Sequence, residues 1–146
     1  IPEDFLSKAD QFQIVQTYIS YSPEVRVRRI DHNGSRWYTF TMKLPKDDTG
    51  LSRAELEFYI SQKVYQDLVK KRVGNTIKKI RYQSEDISVD MYWDDNLSGL
   101  IVAEIEFDSI EKAESFQPPK WFGKDITSDK RYKNGRLSQD GMPNPK

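Results

Sequence analysis

Ionisable residues recur two positions apart along several segments of this sequence. Arg26 and Arg28 flank Val27 in Glu24-Val25-Arg26-Val27-Arg28, and Lys79 and Arg81 flank Ile80. Lys43 closes the run Thr39-Phe40-Thr41-Met42-Lys43. Glu55 and Glu57 flank Leu56, Glu104 and Glu106 flank Ile105, and Asp90 alternates with Ser88 and Tyr92. In an extended chain, side chains at i and i+2 share a face. Each segment therefore has an ionisable face and an apolar one. A single such segment reads as an ordinary strand with one wet face. The set says more, because the signs segregate. Arg26, Arg28, Lys43, Lys79 and Arg81 are basic, whereas Glu55, Glu57, Glu104 and Glu106 are acidic.

Closing such a sheet with its charges inward would make a polar tunnel. Converging Arg and Lys side chains are tolerated only when they are paired or hold an anion. A polyanion such as triphosphate suits them, since guanidinium forks bind its oxygens in bidentate fashion. Carboxylates at i, i+2 suit a hard divalent cation, Mg²⁺ or Mn²⁺, that keeps some of its waters. Together these are the two halves of a phosphoryl-transfer site. It is not a P-loop site, because no GxxxxGK[ST] occurs and glycines number only 7. The lone histidine, His32, falls in an expected turn, which leaves a Ser-His-Asp triad without its base. The absence of cysteine excludes thiolate nucleophiles, disulfides and Cys-type zinc sites.

The elements that position these residues are mostly strands. Alternation predicts strands at Gln11–Ser20, Glu24–Asp31, Arg36–Leu44, Arg53–Ile60, Thr76–Gln83, Asp86–Trp93 and Leu100–Phe107. His32-Asn33-Gly34-Ser35 is a hairpin turn carrying Asn-Gly, and Pro45–Ser52 a polar loop. Ser61–Arg72 has the helical period, with Val64, Tyr65, Leu68 and Val69 on one face, Ser61 as N-cap and Gly74 as a stop. Ser109–Ser115 reads as a short helix, and Asp125–Leu137 as irregular or helical. Trp37, Trp93, Trp121, Tyr82 and Tyr132 read as packing residues.

The 146 residues suit a single α+β domain over 1–140 with a loose tail at 141–146. This many antiparallel strands point to a barrel or a strongly curved sheet. Lys plus Arg total 23 and Asp plus Glu total 23, so there is no basic surplus for a nucleic-acid backbone. No apolar run approaches the ~20 residues that span a bilayer, so no membrane partner is expected.

The ordered series Arg26-Val27-Arg28, Thr41-Met42-Lys43, Glu55-Leu56-Glu57, Lys79-Ile80-Arg81-Tyr82, Asp90 and Ala103-Glu104-Ile105-Glu106 resembles the strand motifs of the CYTH superfamily, the triphosphate tunnel metalloenzymes. The stretch from Trp121 to Leu137 is similar to the C-terminal signature of its small bacterial members. The resemblance runs from about Gln16 to Leu137. It implies an eight-stranded antiparallel β-barrel with flanking helices, a triphosphate substrate such as tripolyphosphate or ATP, and Mg²⁺ or Mn²⁺. By position, Arg26, Arg28, Lys43, Lys79 and Arg81 would bind phosphate oxygens, with Arg131 near the tunnel mouth. Glu57, Glu104 and Glu106 would serve the metal, and Lys79, Arg81 and Asp90 the reaction. The family's E-x-E-x-K motif is absent, and the chain is expected to begin just after that strand. Three readings follow: hydrolysis of a triphosphate, an adenylate cyclase of the same fold, or a non-enzymatic polyphosphate-binding domain. The resemblance implies a cytoplasmic protein and allows a homodimer.

Overall fold

A computed structural model describes residues 1–45 and 53–144. Seven strands form one antiparallel sheet: β1 (Asp10–Tyr21), β2 (Glu24–His32), β3 (Ser35–Pro45), β4 (Arg53–Ile60), β5 (Val73–Ser84), β6 (Ile87–Tyr92) and β7 (Ile101–Ile105). Their order is β4-β3-β2-β1-β5-β6-β7, so β4 and β7 are the edges. Four helices flank the sheet: α1 (Glu3–Lys8), α2 (Gln62–Val69), α3 (Ile110–Ser115) and α4 (Asn134–Asp140), with a 3-10 turn at Lys130–Tyr132. The α+β class and antiparallel sheet are as expected from the sequence. An eighth strand and closure of the sheet are not found among the described residues, and the E-x-E-x-K stretch that would supply that strand is absent from the sequence. Most of the Pro45–Ser52 loop lies outside the described residues.

Local chemistry accounts for the elements. Asn33 at φ 49° and Gly34 at φ 81° supply the positive dihedrals of the β2–β3 hairpin. Ser61 caps α2 by accepting from the Val64 N–H at 3.1 Å, and Ser109 caps α3 by accepting from Lys112 N–H at 3.1 Å. Of the apolar face expected on α2, Tyr65 is buried, its ring 4.8 Å from that of Tyr38, while Val64 is exposed. Helix α1 lay outside the strand-based expectation. Gly74 is not a helix stop: it lies in β5 at φ 67°, in tight contact with α4. Trp93 is not a packed core residue: it is about half exposed, with Lys78 Nζ 5.2 Å above its ring.

The two sheet faces do not divide simply into polar and apolar. Register pairs Tyr18 with Arg26, Lys79 with Tyr92, and Asp90 with Val102. Cross-strand partners share a face. The main apolar cluster, Tyr18, Ile77, Tyr92, Leu97, Val102 and Leu137, is therefore built on the charged face. Leu137 of α4 plugs one end of that face, and Tyr92 Oη donates to Asn134 Oδ1 at 2.7 Å. On the opposite face, Leu56, Phe58 and Ile101 are exposed. No described helix is long and apolar enough to cross a membrane.

Candidate functional site

The charged residues assemble on the centre of the sheet. Arg26 pairs across strands with Thr41, which in turn pairs with Glu57. Arg28 pairs with Gln16 on one side and Thr39 on the other. Arg81 pairs with Asp90. Alternation along β1, β2, β5 and β6 thus delivers Gln16, Arg26, Arg28, Lys79, Arg81 and Asp90 to one face of the sheet.

Asp90 is the acidic hub. It accepts from Lys79 Nζ at 2.8 Å, Arg81 Nε at 2.7 Å and Arg81 Nη2 at 2.9 Å. Lys79 is fully buried, and Asp90 is 3% exposed. Glu24 holds a second group: Arg26 Nη1 donates to it at 3.0 Å, and Lys43 Nζ lies 3.8 Å away. The Arg26 Nε is buried without a hydrogen-bond partner among the described residues. Glu57 on the edge strand accepts from Thr41 Oγ1 at 2.8 Å.

Arg28 is different. Its Nε donates to Gln16 Oε1 at 2.6 Å, and Gln16 Nε2 donates to Tyr18 Oη at 2.9 Å. No carboxylate pairs with Arg28 among the described residues. Its guanidinium borders an open cavity of about 210 Å³ that Thr39, Trp37, Glu57 and Tyr59 also line.

Electrostatics set these cations apart. Burial, aided by the nearby Arg26 and Arg81 charges, pulls Arg28 down to about 10. Burial also lowers Lys79, to about 8; Asp90 works against the shift, and the Arg81 and Arg28 charges add to it. Burial alone would raise Asp90, but hydrogen bonds from Arg81 and the Lys79 and Arg81 charges outweigh it and hold the carboxyl below its usual range. The face is therefore cation-rich, with one ionised carboxylate shared by two bases.

The expected carboxylates belong to the outer strands, although Glu57 shares the Arg28 cavity and the Glu104 charge reaches Arg81. Glu57 belongs to edge strand β4, and Glu104 to the opposite edge, β7, where it pairs with Ser88. Glu106 follows β7, and its N–H donates to Asp86 O at 3.1 Å. All three glutamates are exposed. No group of three carboxylate or imidazole side chains capable of holding a metal exists among the described residues. Glu104 and Glu106 are two positions apart and exposed, and a hard divalent cation that arrives with its ligand is commonly held through one or two carboxylates plus ligand oxygens and water. Arg131 lies in the 3-10 turn, where Asp129 accepts from its Nη2 at 2.7 Å and Asn144 O accepts from its Nη1 at 2.9 Å.

Two members of the cluster escaped the sequence reading, Gln16 and Tyr18. Both carry the i, i+2 signal in Ile14-Val15-Gln16-Thr17-Tyr18, but a search for charge passes over a neutral amide and a phenol.

Comparison with known proteins gives a consistent relationship. The chain is 33% identical over 127 residues to the inorganic triphosphatase of Nitrosomonas europaea, covering 84% of this chain and 82% of that protein. It is 32% identical over 137 residues to the inorganic triphosphatase of Acetivibrio thermocellus, covering 88% and 81%. Among solved structures, the crystal structure of the inorganic triphosphatase NE1496 matches with a TM-score of 0.62 and 27% identity, over 93% of this chain and 90% of that one. A further crystal structure, described as the hypothetical protein NE1496, matches with a TM-score of 0.67 and 29% identity, over 92% and 89%. No protein-family model matches. With two relatives above 30% identity matched along most of both chains, and with solved structures matched over most of the chain, this chain belongs to the CYTH-type inorganic triphosphatase family.

Proposed function

We propose that this protein hydrolyses a triphosphate, with inorganic tripolyphosphate as first choice and Mg²⁺ or Mn²⁺ as the accompanying ion. The observation that carries the reading is Arg28, a half-buried cation without a carboxylate partner among the described residues, set among Arg26 and Arg81. Such a group favours a bound anion, which would relieve the mutual repulsion of the guanidiniums. The names of the relatives, both inorganic triphosphatases, supply the anion.

In this reading Arg26 and Arg28 grip phosphate oxygens, with Lys43 at the Glu24 end of the row. Arg81 and Lys79, held by Asp90, supply positive charge that is already oriented before the reaction. Fixed charge of this kind stabilises developing negative charge without reorganisation. Glu104, Glu106 and Glu57 are the carboxylates offered to the ion, which would polarise the phosphoryl group and neutralise its charge. Arg131, tied to Asp129, would act at the periphery.

The test is release of orthophosphate from tripolyphosphate or ATP with Mg²⁺ or Mn²⁺. Arg28→Ala and Glu106→Ala should each remove most of it. Full activity in both variants overturns the proposal. With ATP, ADP plus phosphate marks hydrolysis, whereas cyclic AMP plus pyrophosphate marks a cyclase. Tight binding without turnover marks a binding domain.

A further inference from the structure

We propose that Gln16 is a positioning residue that aims Arg28 at the substrate while leaving its charge intact. The inference rests on the triphosphate reading above. Its basis is the chain Arg28 Nε → Gln16 Oε1 (2.6 Å) and Gln16 Nε2 → Tyr18 Oη (2.9 Å).

The orientation of this amide is determined by chemistry. A guanidinium has only donors, so the Gln16 atom facing it must be the oxygen. The NH₂ group then faces the Tyr18 hydroxyl, which accepts. Gln16 is 0% exposed and Tyr18 1%, so both ends of the amide are pinned within the sheet. Arg28 is thereby held by its Nε edge, which leaves the Nη groups for the cavity that it lines with Thr39 and Glu57.

The choice of a neutral acceptor matters. Arg81 is fixed by Asp90, and Arg26 by Glu24. Each of those clamps also cancels charge. Arg28 gets comparable restraint from an amide and keeps its full positive charge for an incoming anion. A carboxylate at position 16 would hold the fork equally well but compete with the phosphate.

The full chain should be tested by calorimetric titration with tripolyphosphate and Mg²⁺, by phosphate-release kinetics and by thermal unfolding. Gln16→Met should raise Kd and KM about tenfold with a smaller change in kcat. Gln16→Glu should lose at least as much affinity while holding its melting temperature, because the clamp survives and the charge does not. Arg28→Lys removes the Nε–H clamp, so adding Gln16→Met to it should change Kd less than twofold. A merely structural role would give the same loss in either background. Wild-type affinity in Gln16→Glu, or an undiminished Gln16→Met effect on top of Arg28→Lys, overturns the assignment. Should Gln16→Met not fold, Gln16→Glu decides by the same affinity criterion. If the wild-type chain neither binds nor cleaves tripolyphosphate, the functional reading falls and the Gln16 role with it. If the wild type is active and the Gln16 variants match it, only the Gln16 role falls.

Discussion

Asp90 shows how one residue can make a cation cluster foldable. It is the shared acceptor for a buried lysine and a guanidinium fork. Asp90→Asn keeps the shape and removes the charge, so Lys79 and Arg81 lose their counter-ion within the sheet. Breaking a buried pair from one side costs about 3 kcal/mol or more. Urea unfolding at neutral pH should register that loss. Lys79 gives a second expectation. Its ammonium is lowered to about 8, so it sheds its proton in a range where ordinary lysines stay charged. In the proposed site the charged form would attract the anion, and any affinity contributed by Lys79 would fall as pH rises through that value. Between pH 7 and 9 the Kd for tripolyphosphate in the wild type should rise about tenfold relative to Lys79→Arg, whose guanidinium stays charged. The ratio of the two proteins removes the ionisation of the ligand itself. An unchanged ratio would mean that Lys79 does not face the anion. The charged members of this cluster were legible as i, i+2 pairs in the sequence. Gln16 was not, since its role arises only when register sets it opposite Arg28, twelve residues further along the chain.

At the scale of elements, the contact between β5 and α4 is the clearest case of a constraint that alternation cannot reveal. Gly74 has φ 67°, and an added Cβ would collide with the Tyr21 hydroxyl and lie 2.8 Å from Ser138 O. Tyr21 Oη also lies 3.0 Å from Ser138 Oγ, which donates to Asn75 O at 2.8 Å. Gly74→Ala therefore combines a left-handed backbone penalty with a steric one, about 2 kcal/mol or more in total. The melting temperature should drop, and amide exchange over Asn134–Asp140 should accelerate before that of the central strands. Exchange that rises equally everywhere would count against a local role for this contact. Strand positions were legible because each has one half-wet face and a clear period of two. The placement of the core was less so. Tyr18, Ile77, Tyr92 and Val102 share a face with the cations, and the docking of Leu97 from the β6–β7 connection and of Leu137 from α4 turns that end of the face into a dry cluster. Periodicity assigns residues to a face but does not say which distant helix covers it.

The whole molecule balances 23 basic against 23 acidic residues, yet the balance is not uniform in space. The centre of the sheet carries Lys79 and Arg81 on Asp90, with Arg28 and Arg26 on β2 of the same face, while Glu57 and Glu104 belong to opposite edge strands. Zero net charge gives little long-range pull on an anion. In the proposed reading, affinity comes from the cations that converge locally, and it should appear as stabilisation of the folded state alone, because the unfolded chain scatters them. A ligand at a hundred times its Kd adds about 2.7 kcal/mol to unfolding. For a chain of this length that corresponds to roughly 5–10 °C in melting temperature. Tripolyphosphate with Mg²⁺ should produce such a shift. Sodium chloride at matched ionic strength should not, since screening alone does not bridge the cations. Arg28→Ala should abolish most of the shift, because it removes the member of the cluster that has no carboxylate of its own among the described residues. An equal shift in that variant would place the binding energy elsewhere and separate the triphosphate site from the cationic centre of the sheet.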